Sequence, residues 1–163
     1  MTVLHILCGK IASGKSSFAA RLGQAPGTVV LGEDALLSGL YGPQMQTLPD
    51  YMRYSARLRA AIEGHVVALL RNGCSVVLDF AANTPDTRAW MRSIIDAADC
   101  DHALHFLDVP DEVCRARLKA RNAAGTHPFQ VDDEQFDWIT AHFVTPTVEE
   151  GFEIRTYPFE NRS

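Results

Sequence analysis

The sequence predicts an α/β protein, a parallel five-stranded sheet with helices on both faces and a phosphate-binding loop after its first strand. Three observations carry this. Apolar strand-like runs alternate with helical patterns along the chain. The first run, "TVLHILCG", leads into "GKIASGKS" (9–16), which fits the spacing G-x-x-x-x-G-K-[ST]. The 163 residues, 47% of them hydrophobic, suit one domain over 1–163 with a full core.

The elements follow in order. "TVLHILCG" reads as buried strand β1 (about 2–9). In "KSSFAARLG", Phe18, Ala19 and Leu22 share one helical face and Gly23 is a stop. "TVVLG" (28–32) is β2. The stretch from Asp50, read as an N-cap, to Gly73 is a long helix, with Leu58, Ile62, Val66 and Leu69 at helical spacing. "CSVVLDF" (74–80) is β3. A helix over 84–98 has Thr84 as cap and Pro85 at its first position. "HALHFLDV" (102–109) is β4. Helices are expected over 111–125, ending at Gly125, and over 132–143, and a last strand over 152–159.

The loop residues each have a mechanical task. Glycines let successive N–H groups turn inward toward phosphate oxygens, and the helix that starts at about Gly14 adds its positive end. Gly9, Ala12, Ser13, Gly14, Lys15, Ser16 and Ser17 are the candidate phosphate contacts. Lys15 would reach the β- and γ-phosphates, and the Ser16 hydroxyl would ligate Mg²⁺. Ligands in open parallel sheets bind at the carboxyl ends of the strands. Asp34, beside Glu33, lies just past β2, where a general base faces a γ-phosphate; it can also cap the following helix. Asp79 ends β3 and is placed to support the metal ion. Asn83 and Arg88 follow closely enough to reach the cleft, although Arg88 could equally make a surface ion pair.

"CRARLKARN" sets Arg117 and Arg121 four residues apart on one helical face, ahead of the small, glycine-containing "NAAGTHPF". Cations there would neutralise charge in phosphoryl transfer, so about 115–131 reads as a lid, with a solvated basic face as the plainer reading. The segment at about 33–73 is too long for a simple crossover and is assigned to the acceptor side, with Arg53 and Arg57 one turn apart as candidate substrate contacts. The six histidines show no usable pairing, and His5 and His105 read as strand residues. Four scattered cysteines lack metal spacing and read as buried hydrophobes of a reducing compartment. No apolar run reaches membrane-span length, and the N-terminal strand has no basic n-region or cleavage site, so a cytoplasmic protein without a membrane partner is expected. The net charge of −5 disfavours strong non-specific nucleic-acid binding.

With the loop, Asp34, Asp79 and "RARLKARN" on the page, nearly the whole chain resembles the small P-loop kinases, most closely the AAA_33-type ATP-binding proteins related to polynucleotide kinase, zeta toxin, chloramphenicol phosphotransferase and gluconate kinase. The closing "FVTPTVEEGFEI" (143–154) is similar as well. The resemblance implies the sheet order 2-3-1-4-5, ATP with Mg²⁺, the Asp after β2 as base (Asp34) and lid arginines (Arg117, Arg121). Polynucleotide kinases carry an Arg three residues after the base Asp; here the position is Leu37. The resemblance therefore implies transfer of a γ-phosphate to a small-molecule hydroxyl. A polynucleotide 5′-hydroxyl kinase and a nucleotide-binding switch or slow NTPase remain as alternatives.

Overall fold

The computed structural model describes residues 1–125 and 130–160. Its sheet has five parallel strands in the order β2-β3-β1-β4-β5. The elements are β1 (Val3–Cys8), α1 (Lys15–Leu22), β2 (Thr28–Gly32), α2 (Glu33–Tyr41), α3 (Leu48–Arg71), β3 (Ser75–Asp79), α4 (Pro85–Ala98), β4 (Asp101–Asp108), α5 (Asp111–Ala124), α6 (Asp133–Ala141) and β5 (Ile154–Pro158).

Side chains alternate across the central strand. Leu4, Ile6 and Cys8 pack with Leu37, Leu58, Val66 and Leu70 of α2 and α3 and with Met91 and Ile94 of α4. Leu7 and Val77 face the other way, onto Ala19 of α1. A third cluster joins Leu107 and Val109 to Cys114 and Leu118 of α5 and Phe136 of α6. A strand with both faces covered has no polar side to alternate with, which is why β1 and β3 read as nearly continuous apolar runs. The four cysteines are free, with Cys8 and Cys114 buried. Among the described residues no helix is long and apolar enough to cross a membrane.

The long insertion holds two helices, and the start of each differs from the sequence expectation. Its first part is a helix, α2, that begins directly at Glu33 after Gly32. The N-cap of α3 is Thr47, not Asp50. The Thr47 hydroxyl accepts from the Asp50 amide, and Asp50 Oδ2 accepts from the Thr47 amide, a reciprocal capping box. A carboxylate three residues inside a helix can satisfy the cap residue's own N–H, so an acid near a helix start need not be the cap. At the other end of the chain, α6 and β5 are shorter than expected. Asp132 caps α6 through the Gln135 amide at 2.7 Å. Gly125 closes α5 at φ 64°, the left-handed conformation that glycine adopts without steric cost.

The histidines are a further departure. His5 and His105 lie in strands, but they do pair. His5 Nδ1 and His105 Nε2 are 3.0 Å apart, and His105 Nδ1 lies 3.0 Å from the Tyr157 hydroxyl. The row crosses β1, β4 and β5 beneath Phe18 of α1. Burial, then His5 and Arg155, push the His105 pKa down to about 4. Pairing across strands depends on register, which the sequence does not display.

Candidate active site

The carboxyl ends of β1, β2 and β3 converge on one cleft of about 1320 Å³. In register, Gly32 sits opposite Asp79, so the residues after β2 emerge beside the acid that ends β3. The loop after β1 turns on Ala12 at φ 62° and Gly14 at φ 100°. A non-glycine residue held left-handed is uncommon and concentrates at functional turns. Gly14 forms the N-cap of α1 with no side-chain cap, so the first amides of that helix face the cleft unclaimed by a capping side chain. Gly9 cannot carry a side chain, because a Cβ there would meet Ser13 Oγ at 2.5 Å and the Leu107 carbonyl at 3.2 Å.

Asn83 fixes the start of this loop. Its Oδ1 accepts from the Gly9 amide at 3.0 Å and its Nδ2 donates to the Gly9 carbonyl at 2.7 Å. The Lys15 ammonium donates to the carbonyls of Gly9 (2.6 Å) and Lys10 (2.9 Å). Burial lowers its pKa, with Asp79 as the main opposing influence. The Ser16 hydroxyl donates to Asp79 Oδ2 at 2.7 Å. A hydroxyl and a carboxylate in contact are a hard oxygen pair of the kind that holds Mg²⁺ with nucleotide phosphates and water. Among the described residues no group of three or more His, Cys, Asp or Glu could hold a metal.

Arg117 and Arg121 both line the cleft from α5. Arg117 donates to the Ser13 carbonyl at 3.3 Å and lies over the Phe159 ring. Arg121 is half-buried and its Nε is a buried donor with no partner among the described residues. Burial lowers its pKa while Asp34 opposes the shift. The lid expectation covers 115–131, of which 126–129 lie outside the described residues.

Asp34 lines the cleft in the first turn of α2. It does not cap the helix, since Gly32 holds that position. The Tyr51 hydroxyl lies 3.2 Å from Asp34 Oδ1 and 2.6 Å from Glu33 Oε1. Three candidate substrate contacts stand elsewhere. Arg53 pairs with Asp50 and lies over the Tyr54 ring, and Arg57 lies over the same ring. Neither lines the cleft. Arg88 is fully buried, donating to the carbonyls of Ala82 and Val144 and to Glu150 at 2.7 Å. It is a structural strut rather than a cleft or surface cation, because four residues along α4 from Thr84 turn its side chain into the 144–150 segment. Leu37 is also buried, on the core side of α2. Sequence reasoning missed Arg59, which lines the cleft and donates to Ser55 at 3.0 Å. It follows Arg57 by two residues and so faces elsewhere on the helix, one turn on from Ser55, which also lines the cleft.

Fold and loop together define a P-loop protein. The chain matches the AAA_33 family of AAA domains over residues 4–146 and belongs to it. No curated protein matches it. Among solved structures it is similar to a candidate kinase from Chloroflexus aurantiacus (16% identity, TM-score 0.78, covering 96% of this chain and 85% of that one). Chaetomium thermophilum Kti12 in complex with ADP-AlF3 is similar at 14% identity and TM-score 0.74, covering 98% and 90%. The Mycobacterium tuberculosis APS kinase with AMPPNP and APS is similar at 21% identity and TM-score 0.58, covering 99% and 90%.

Proposed function

We propose that the protein is an ATP- and Mg²⁺-dependent phosphotransferase that moves the γ-phosphate to a hydroxyl of a small molecule. The observation that carries the reading is a single cleft lined by Lys15, Ser16, Asp79, Arg117 and Arg121 and also by Asp34. An attacking hydroxyl must lose a proton, and Asp34, in the same cleft as the loop, is the carboxylate assigned to take it. The loop amides and Lys15 would hold the β- and γ-phosphates. Ser16 and Asp79 would hold Mg²⁺, which supplies charge neutralisation when bound. Asp34 would accept the acceptor's hydroxyl proton. Arg121, a half-buried cation whose Nε has no partner among the described residues, would meet charge developing on the transferred group. The likeness to an APS kinase bound to AMPPNP supports an adenine nucleotide. Arg53, Arg57 and Arg88 all stand outside the cleft, which weighs against a polynucleotide 5′-hydroxyl as acceptor.

ADP release from Mg·ATP, with nucleosides, sugars, aminoglycosides, chloramphenicol-like alcohols and 5′-hydroxyl oligonucleotides in turn, tests the reading. One acceptor class should stimulate release. Asp34→Asn should then keep nucleotide binding and lose transfer by about 100-fold or more. A slow rate indifferent to every acceptor and to Asp34→Asn would instead assign a nucleotide-binding switch.

A further inference from the structure

Glu33 is a carboxyl that the proposed reaction leaves unused, yet it is 6% exposed at the mouth of the cleft. A buried carboxyl is costly unless something in the site needs it. Its contact is the Tyr51 hydroxyl at 2.6 Å, the short range of a charge-assisted O–H···O bond, while Asp34 Oδ1 lies on the same hydroxyl at 3.2 Å. A phenol has one proton. It donates fully to one of these two oxygens at a time, and the unequal distances place it toward Glu33.

We propose that Tyr51 and Glu33 are positioning residues for Asp34, with the protonation of Glu33 deciding whether the Tyr51 hydroxyl donates to Asp34. This rests on Asp34 being the base. With a proton on Glu33, its O–H donates to the Tyr51 oxygen, and the phenol turns its proton to Asp34 Oδ1, orienting the carboxylate that meets the acceptor. With Glu33 ionised, the phenol donates to Glu33, and Asp34 Oδ1 loses that bond. The one proton that changes hands passes between Glu33 and solvent; the Tyr51 hydrogen bonds rearrange and no other covalent bond is made or broken.

The surroundings fit such an arrangement. Burial, then the Glu33 carboxylate, raises the Tyr51 pKa, so the phenol keeps its proton. Glu33 is pushed up by burial first and also by Asp34, against the opposing influence of Tyr51, Arg59 and Ser55. Lys15 from α1 and Arg121 from α5 are cations that interact electrostatically with Asp34. The acid that titrates is therefore buried behind the base, on the first turn of the same helix, and is coupled to it through one hydroxyl of α3.

The test uses the full chain with ¹³C-labelled Asp and Glu carboxyls, followed by NMR across pH, with Glu33→Gln and Asp34→Asn giving the assignments. The titration of Glu33 should register at the Asp34 carboxyl carbon, and that cross-response should vanish in Tyr51→Phe. Turnover is read as ADP release from Mg·ATP with the acceptor that stimulates most, or with water if none does. Tyr51→Phe should lower kcat about tenfold with the KM for ATP unchanged. Glu33→Ala should do the same, and Glu33→Gln, whose amide donates permanently to Tyr51, should recover most of the loss and remove the fall in turnover that accompanies ionisation of Glu33 as pH rises. Thermal melting and nucleotide binding of each variant separate a folding defect from a positioning one. Full turnover in Asp34→Asn would remove the base, and with it this reading. Loss of turnover in Asp34→Asn beside wild-type kcat and pH profile in both Tyr51→Phe and Glu33→Gln would overturn the relay alone.

Discussion

The phosphate end of the cleft and its acceptor wall are built by different means. At the phosphate end, backbone does the recognition. Gly9 is barred from carrying a Cβ, Ala12 and Gly14 sit left-handed, and Asn83 clamps both polar groups of Gly9. On the acceptor wall, side chains do it. Glu33, Asp34, Tyr51, Ser55 and Arg59 come from two helices that approach each other only in the folded chain. Backbone recognition fixes a common chemical group, and side-chain recognition can be changed one residue at a time without disturbing the loop. On the proposed function, the phosphate end therefore sets the reaction class and the α2–α3 wall the substrate.

The comparison can be broken most directly at the loop. Lys15→Ala should lower nucleotide affinity by on the order of 100-fold, read by titration with a fluorescent ATP analogue, because it removes a charge-assisted contact to phosphate. Asn83→Ala tests whether the backbone geometry itself needs support. It removes both side-chain bonds to Gly9 and should weaken nucleotide binding about tenfold, with any acceptor's KM unaffected.

A third prediction lies behind the loop, under α1. His105 has a folded pKa of about 4, below the ordinary 6.5, so the fold favours its neutral form. The stability tied to this is complete above pH 6.5 and is lost as pH falls through 4. The loss should be on the order of 3 kcal/mol, read by denaturant unfolding at a series of pH values, and smaller in His105→Gln. The smallest effect sharpens the acceptor side. Arg53→Ala and Arg57→Ala should leave turnover and acceptor KM within about twofold, since exposed pairs of this kind contribute little.

The same contrast explains what could be read from the sequence. The strands, the loop and the chain direction at Asp34 and Asp79 follow from apolar runs and one motif, because each is a local consequence of spacing, whereas the strand order was implied by the resemblance to the small P-loop kinases. Arg117 and Arg121 were legible as neighbours four apart on a helix. Arg88 and Arg59 were not. Whether a helical cation faces the cleft depends on the phase of its helix. On α3 the phase is set by the packing of Leu58, Val66 and Leu70 into the core, and on α4 by packing against a segment sixty residues away. The Glu33–Tyr51 contact and the histidine row share that character, joining residues 18 and 100 positions apart.

Arg88 has a consequence for how the chain comes into being. Its guanidinium is enclosed by carbonyls of Ala82 and Val144 and by the Glu150 carboxylate. The Glu150 carboxyl, despite its own partial burial, is held below its usual range by the Arg88 and Thr147 contacts. A cation sealed in a core without its counter-ion is among the costliest arrangements a protein can adopt. A nascent chain that has passed α4 but not yet reached residue 150 must therefore leave Arg88 in water and that side of the sheet unsealed. The 144–150 segment closes over Arg88 as a latch, and its Val144 amide donates to the carbonyl of Asn83, the residue whose side chain clamps Gly9 in the cleft.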